Sequence, residues 1–246
     1  MPPSPRISLV IPARNEAALL PRLLDTVDAA RARYTFGADA LEVIVANNAS
    51  TDDTATIASR HGCRVVDVVP RIIAAVRNGG AAVATGSFLA FVDADMQVHP
   101  ETFNAIDGAL SDTAIVGGAT GIRAERWSAG IAASFGLLSL FAMFTGIDAG
   151  VCFCRREDFE ALGGYDERRS AAEDVDMLLR LQRLGKSRGQ RMIRARSTKA
   201  VYSTRKFDRF GDWHCFALAA RMVLSGAWRP HARTTAVSEY WYEDDR

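Results

Sequence analysis

Two stretches decide the fold: Ile7-Ser8-Leu9-Val10-Ile11-Pro12, and Leu41-Glu42-Val43-Ile44-Val45-Ala46-Asn47-Asn48. Each is a short run rich in β-branched residues, closed by residues that end strands. Their near-continuous apolar character, rather than a strict alternation, marks strands buried on both faces, as in a parallel sheet. Between them Leu20, Leu23, Leu24, Val27 and Ala30 recur at helical spacing, with Pro21 suited to a first turn. Strand, helix, strand is a βαβ unit.

The pattern continues outward. Ser50-Thr51-Asp52-Asp53 reads as a helix N-terminus, Arg64 to Val69 as a strand, Ile72 to Ala84 as a helix and Phe88 to Val92 as a strand. Pro100 opens a helix to about Leu110, and Ile115-Val116 belongs to a later strand. The class is therefore α/β, with a mostly parallel central sheet flanked by helices in a Rossmann-like arrangement. The second half is less regular: a strand over Ala149 to Cys154, a short helix over Glu157 to Leu162 ended by Gly163-Gly164, an amphipathic helix over Glu173 to Leu184 stopped by Gly185, and an apolar helix from Trp213 to Trp228. No internal repeat or linker interrupts the chain. Residues 1–246 read as one domain, with a nucleotide-binding half to about residue 100, an acceptor half over 101–228 and a polar tail over 229–246.

Composition narrows the functional classes. Of 246 residues, 48% are hydrophobic and 24% charged, and 30 Lys plus Arg face 29 Asp plus Glu, so the net charge of +1 supplies no field for nucleic acid. The cysteines Cys63, Cys152, Cys154 and Cys215 form no CxxC pair, which speaks against zinc and disulfides and for a reducing cytosol. Arg6 and Pro12 leave no room for a signal-peptide apolar region. The uncharged stretch Trp127 to Ile147 nearly reaches the length of a membrane span, but Ser, Gly and Thr residues dilute it. Within it Ser128 to Phe144 is expected to form a helix near the acceptor entrance. Burial is the favoured reading, with Ile131, Phe135, Leu138 and Ala142 on one stripe and Leu137, Leu140, Phe141 and Phe144 beside it. Docking on a membrane surface is the alternative, which would place the chain peripherally at the inner face of a membrane.

Chemistry concentrates at strand ends. Asp93-Ala94-Asp95 directly follows the apolar run Phe88 to Val92, and ligands of open α/β sheets bind beyond the carboxyl ends of strands. Two carboxylates there repel each other unless a cation gathers them, and hard oxygen ligands suit Mg²⁺ or Mn²⁺. The competing reading is a turn and helix cap before Pro100. The first strand ends in Pro12-Ala13-Arg14-Asn15-Glu16 and the second in Asn47-Asn48-Ala49-Ser50-Thr51-Asp52, so three strand ends converge on one crevice. A Rossmann oxidoreductase is excluded because G-x-G-x-x-G is absent after the first strand.

Taken in order, Pro12-Ala13-Arg14-Asn15-Glu16, Ser50-Thr51-Asp52-Asp53-Thr54, Arg77-Asn78-Gly79-Gly80, Asp93-Ala94-Asp95, Gly163-Gly164-Tyr165-Asp166-Glu167 and Glu173-Asp174 resemble the family 2 glycosyltransferases of the GT-A fold, over residues 7 to about 185. That resemblance implies a nucleotide-sugar donor and a saccharide or lipid-linked acceptor. Pro12, Ala13, Asn15 and Glu16 would line the nucleoside pocket, and Asn47 would face the base. Arg77 would lie near the base or diphosphate, Asp93 near ribose and metal, and Asp95 on the metal. The Asp-Ala-Asp-Met-Gln stretch also resembles polyprenol-phosphate sugar transferases, which makes Gln97 a third metal ligand. Asp174 would be the general base of a single displacement with inversion.

Each residue also has a plainer reading: a solvated helix face for Arg77, first-turn helix acids for Glu16 and Glu173-Asp174, and a hydrogen-bonding loop amide for Gln97. The basic, aromatic-interleaved segment Ser203 to Arg209 reads either as a clamp for the diphosphate or an anionic acceptor lipid, or as a solvated loop. His214 is read as packed beside Trp213. In one place the chain departs from the family: Asn47-Asn48-Ala49 stands where an acid is usual, so the nucleotide stays open. A non-catalytic nucleotide-sugar-binding member is the alternative function.

Overall fold

Both deciding stretches form strands, and they pair as neighbours. The computed structural model describes residues 4–169 and 172–217. Along the chain come β1 (Ile7–Ala13), α1 (Leu20–Ala32), β2 (Leu41–Asn47), α2 (Thr54–Arg60), β3 (Arg64–Asp67), α3 (Ile73–Ala82) and β4 (Phe88–Phe91). After these come β5 (Met96–Gln97), α4 (Thr102–Ser111), β6 (Ile115–Ala119), β7 (Ile122–Ala124), α5 (Ala129–Thr145), β8 (Cys152–Arg155) and α6 (Arg156–Ala161). The last are α7 (Glu173–Ser187), β9 (Arg191–Arg194), β10 (Ala200–Tyr202) and α8 (Arg205–Phe210).

Seven strands form the central sheet in the order β3-β2-β1-β4-β8-β6-β9. β1 pairs in parallel with β2 and β4, and β2 with β3, as the βαβ pattern requires. Only β8 runs against its neighbours β4 and β6. It begins later than the apolar run suggests, at Cys152, because the preceding chain turns at Gly146 and Gly150, both with positive φ. A second sheet, β5-β10-β7, covers the end of β4. Strands of two and three residues carry no periodic signal, so this sheet is invisible to pattern reading.

Each face of the central sheet has its own core. Ile7, Leu9 and Ile11 of β1 pack with Leu20, Leu23, Leu24 and Val27 of α1 and Phe103, Ile106 and Leu110 of α4. Val10 and Ile44 point the other way, onto Ala74 and Ala81 of α3 and Met177, Leu178 and Leu181 of α7. Each such aliphatic side chain contributes about 1.5–3 kcal/mol by leaving water. α3 approaches closely because it presents Gly80 to the sheet; a Cβ there would stand 2.4 Å from Val10 Cγ1. Of the helix expected over Trp213 to Trp228, residues 214–217 are helical. Trp213 lies in the turn before them, and residues 218–228, like the polar tail, lie outside the described residues.

Candidate active site

Because β1, β2 and β4 are parallel, their carboxyl ends open on the same edge of the sheet. Pro12 and Ala13 close β1, paired with Ala46 and Asn47. The loop that follows is laced to the loop after β2. Asn15, at φ 51°, accepts from the Thr51 N–H at 2.8 Å, and its own N–H donates to Ser50 Oγ at 3.1 Å. The Glu16 N–H donates to Thr54 Oγ1 at 2.8 Å, and Arg14 Nη1 donates to the Asn48 carbonyl at 2.8 Å. Asp52 accepts from the N–H groups of Ala17 and Thr54, each at 3.0 Å. The Ser-Thr-Asp motif thus braces the first loop with its own side chains.

Both asparagines of the departing motif are engaged. Asn47 Nδ2 donates to Asp67 Oδ1 at 2.7 Å, and Asn48 Nδ2 donates to the carbonyls of Val68 and Pro70 at 2.6 and 2.9 Å. Asn48 Oδ1 is buried and has no hydrogen-bond partner among the described residues. An unpartnered buried acceptor at a strand end is suited to a donor from a ligand. Sequence reasoning picked Asn47 for this role; the orphan acceptor belongs to its neighbour.

Asp93 and Asp95 follow β4. Asp93 is partly exposed, whereas the Asp95 side chain is 10% exposed. Burial, and then the adjacent Asp93, push the Asp95 carboxyl above its ordinary pKa, against the pull of Lys206 and Arg205. Among the described residues no group of three or more His, Cys, Asp or Glu is placed to hold a metal ion on its own. Two carboxylates completed by substrate phosphates and water are a usual way to hold Mg²⁺, so the donor set fits a divalent ion that arrives with a diphosphate. Gln97 sits in β5, partly buried, its backbone paired with Val201 of β10.

Arg77, on α3, is 7% exposed, which removes the solvated-face reading. Its Nη1 donates to Glu173 Oε1, its Nη2 donates to Asp93 Oδ1 at 2.7 Å, and its guanidinium lies over the Tyr165 ring at 5.3 Å. Burial alone would lower its pKa; Asp93 and then Glu173 hold it well above the ordinary value, so the charge is permanent. Glu173 is the first residue of α7 and Asp174 the second. Asp174 is half-buried, accepts from the Val175 N–H at 2.8 Å, and its charge is felt by Arg77, Glu173, Tyr165 and Cys152. The carboxylates of Asp93 and Glu173 are therefore gathered on one guanidinium, with Asp174 next to Glu173 in the chain. Burial holds the Cys152 thiol far above its ordinary pKa, so it stays protonated and is no nucleophile.

The segment read as a clamp or a solvated loop is helix α8. Lys206 is buried, Arg205 Nη2 donates to Glu16 Oε1 at 2.5 Å, and the same nitrogen lies 3.8 Å from Asp95 Oδ2. The charges of both cations reach Asp95. Their alternation with aromatics, with Phe207 buried in a small apolar cluster, was the signal. His214 packs edge-on against Phe207, ring centroids 4.7 Å apart.

The burial expected for the uncharged helix is corrected. α5 spans Ala129–Thr145 with Ser128 as its N-cap, its hydroxyl accepting from the Ile131 N–H at 3.2 Å. Only Gly130, Ile131 and Ala142 are buried. Leu137, Leu140, Phe141, Met143 and Phe144 are exposed, Phe144 to 82%, and Trp127 and Trp213 are exposed as well. The expected stripe does face the protein, with Ile131 and Ala142 buried and Phe135 and Leu138 half-buried, but a helix that is apolar all round gives no periodic cue to how wide its buried face is. One end of α5 meets the segment after α8, where a Cβ at Gly130 would stand 2.5 Å from the Asp212 carbonyl. Its other end meets α7, where Gln182 Nε2 donates to the Thr145 carbonyl at 2.9 Å. Among the described residues no helix is long and apolar enough to cross a membrane.

An α/β sheet with acids at adjacent strand ends and at the start of a later helix defines a GT-A type nucleotide-sugar site. The family model of glycosyl transferase family 2 matches residues 8–162, more than half of the chain, and the chain belongs to that family. It is 35% identical over 109 residues to validoxylamine A glucosyltransferase of Streptomyces hygroscopicus, an alignment covering 42% of this chain and 25% of that one. The chain thus spans about a quarter of that relative's length. A mannosyltransferase of Pyrobaculum calidifontis, solved with GDP-Man and Mn²⁺, shares the fold with a TM-score of 0.64 at 24% identity, over 81% of this chain and 57% of that one. Glucosyl-3-phosphoglycerate synthase of Mycobacterium tuberculosis, solved with Mn²⁺, UDP and glucosyl-3-phosphoglycerate, does so with a TM-score of 0.57 at 21% identity, over 89% and 79%.

Proposed function

We propose that this chain is an inverting glycosyltransferase that moves a sugar from a nucleoside diphosphate to an acceptor hydroxyl or a lipid phosphate, with Asp174 as general base. One observation carries the reading: Asp93, which follows β4, and Glu173, which opens α7 immediately before Asp174, are brought to the same buried guanidinium. A hydroxyl becomes a competent nucleophile when its proton is taken as the new bond forms, and one carboxylate within reach suffices. In the displacement the acceptor oxygen bonds the anomeric carbon and its proton goes to Asp174. The bond from that carbon to the diphosphate breaks, and its electron pair leaves with the phosphate. No second carboxylate nucleophile is required, in contrast to retaining glycosidases.

Asp95, with Asp93 and Gln97, would hold Mn²⁺ or Mg²⁺, and the ion when bound neutralises charge on the departing diphosphate. Mn²⁺ in both fold neighbours supports this assignment. Pro12, Ala13, Asn15 and Glu16 would line the nucleoside pocket with Asn47, and Asn48 Oδ1 would accept from the base. The donor half would run to about residue 100 and the acceptor half beyond it. The exposed apolar side of α5, whose ends meet α7 and the segment after α8, suits a lipid-bearing acceptor at a membrane surface. Four free cysteines fit a reducing, cytoplasmic setting.

The test is a thermal-shift panel of UDP-, GDP-, CMP- and dTDP-linked sugars with and without Mn²⁺. One nucleotide class should raise the melting temperature, more so with the ion, because a ligand specific for the folded state stabilises it by mass action. A panel without any shift would sink the reading.

A further inference from the structure

Arg77 joins parts of the site that lie far apart in the chain. Asp93 is 16 positions away and Glu173 is 96. We propose that Arg77 is a positioning residue rather than a phosphate ligand: it fixes Asp93 on the donor side and, through Glu173, the first turn of α7 that carries Asp174. The inference rests on Asp174 being the base.

The geometry of the guanidinium is the first argument. It is planar and presents its donors in a fixed fork, so two carboxylates bound to it are held at a set separation. Both outer nitrogens of Arg77 are committed to carboxylates, one face lies over Tyr165, and the side chain is 9% exposed. Little of this cation is left to meet a phosphate.

The second argument is the way α7 begins. Its N-cap, Ala172, adopts φ 55° and offers no side-chain cap. That is the left-handed region, which residues with a Cβ occupy at a cost, so the turn must be held from elsewhere. Ion pairs hold it: Asp176 pairs with Arg169 and Arg180 at 2.9 and 2.8 Å, and Glu173 with Arg77. Of these acids only Glu173 is adjacent to Asp174, and it is buried. Asp174 caps its own turn by accepting from Val175, so its direction follows that turn.

The third argument is the rigidity of the frame from which Arg77 acts. Gly80 seats α3 directly on Val10 and Ala46 of the sheet. The next residue, Asn78, donates to the Tyr165 carbonyl at 3.0 Å and accepts from the Tyr165 N–H at 2.9 Å. Residues 77 and 78 thus grip the loop before α7 and the start of α7 from one helix on the sheet.

The experiment compares Glu173→Gln, Arg77→Lys, the double variant and Asp174→Asn. Turnover is read as nucleoside diphosphate release from the nucleotide sugar that the thermal-shift panel selects, with Mn²⁺. Donor affinity and melting temperature are measured on the same preparations. Glu173→Gln should lose about tenfold or more in kcat while donor Kd stays within about threefold, since small misplacements of a reacting group cost that much. Arg77→Lys, whose single ammonium cannot bridge two carboxylates, should lose at least as much. The double variant should be no worse than Arg77→Lys, because the two residues act through one contact. If Arg77→Lys does not fold, Glu173→Gln supplies the same comparison on its own.

Wild-type turnover of folded Glu173→Gln, or losses that multiply in the double variant, would overturn the inference. So would an Arg77→Lys protein that turns over normally but binds donor far more weakly, which is the signature of a phosphate ligand. Full turnover by Asp174→Asn would instead remove the base assignment. An impaired Asp174→Asn beside normal Arg77 and Glu173 variants would remove this inference alone.

Discussion

Asp174 follows a buried acid in the first turn of α7, a place where helices favour negative charge whatever else they do. Its role as a base and its role as a helix-start acid therefore predict different losses. As a base it acts on the acceptor, so Asp174→Asn should keep donor affinity while transfer falls on the order of 10²- to 10⁴-fold. As a helix-start acid it would cost on the order of 1 kcal/mol of stability and leave turnover of the folded protein intact. Donor Kd, melting temperature and single-turnover rate on one preparation separate the two, and normal transfer would remove the assignment. The places of Asp93 and Asp95 after β4 and of Asp174 at the start of α7 were legible in the sequence, because each is an acid set beside a strongly patterned strand or helix. The segment carrying Arg205 was legible too, but its ion pair with Glu16 was not: the two lie 189 positions apart, and no spacing rule reaches across that many loops. The unpartnered acceptor of Asn48 was not legible for a finer reason. Neighbouring amides in a loop look alike until their partners are known.

At the scale of elements, the close seat of α3 on the sheet is open to test. A Cβ at Gly80 would stand 2.4 Å from Val10 Cγ1 and 3.3 Å from Ala46 Cβ, so Gly80→Leu has to lift α3 away. Overpacking of this kind costs about 1–3 kcal/mol. Denaturant midpoints should fall accordingly, and an unchanged midpoint would mean that the helix seat is loose. α5 carries a second expectation. With Leu137, Leu140, Phe141, Met143 and Phe144 exposed on one uncharged helix, the protein should float with anionic vesicles, and Phe144→Glu should weaken that recovery. Protein that stays at the bottom of the gradient in both forms would refute membrane contact. Pattern reading located α5, its N-cap and the stripe Ile131, Phe135, Leu138 and Ala142 that faces the protein, yet misjudged the burial of the stripe beside it, because a helix apolar all round does not show where its buried face ends. It found β1, β2 and β4, whose buried runs are long enough to read. It left β9 and the β5-β10-β7 sheet unseen, where two to four residues carry no period.

Across the whole molecule, Asp107 of the fold and Asp95 of the candidate site are tuned in opposite directions. Asp107 is buried, which alone would raise its pKa, yet hydrogen bonds from Arg6 and Tyr34 hold it below the ordinary range. Its contribution to stability is present above the unfolded carboxyl pKa and is lost as pH falls through the lower folded value. Asp95 is the reverse: burial and Asp93 raise its folded pKa, so stability declines as pH climbs from the unfolded value through the folded one, and the full loss stands at neutral pH. Under the proposed function, a cation that arrives with the donor would relieve that loss. Wild type should therefore gain about 2.7 kcal/mol at a donor concentration of 100 times Kd, or roughly 5–10 °C for a domain of this size. Asp95→Asn removes the buried charge without changing shape. Its ligand-free melting temperature should lie above that of wild type at pH 7, and the difference should vanish below about pH 4, where an ordinary carboxyl is also neutral. The Mn²⁺-dependent part of the donor-induced shift should disappear in the same variant. Melting curves from pH 3 to pH 8, with and without Mn²⁺ and donor, measure both effects. A ligand-free Asp95→Asn protein that melts below wild type would make Asp95 a structural partner of Arg205, and a retained Mn²⁺ shift would move the ion away from Asp95.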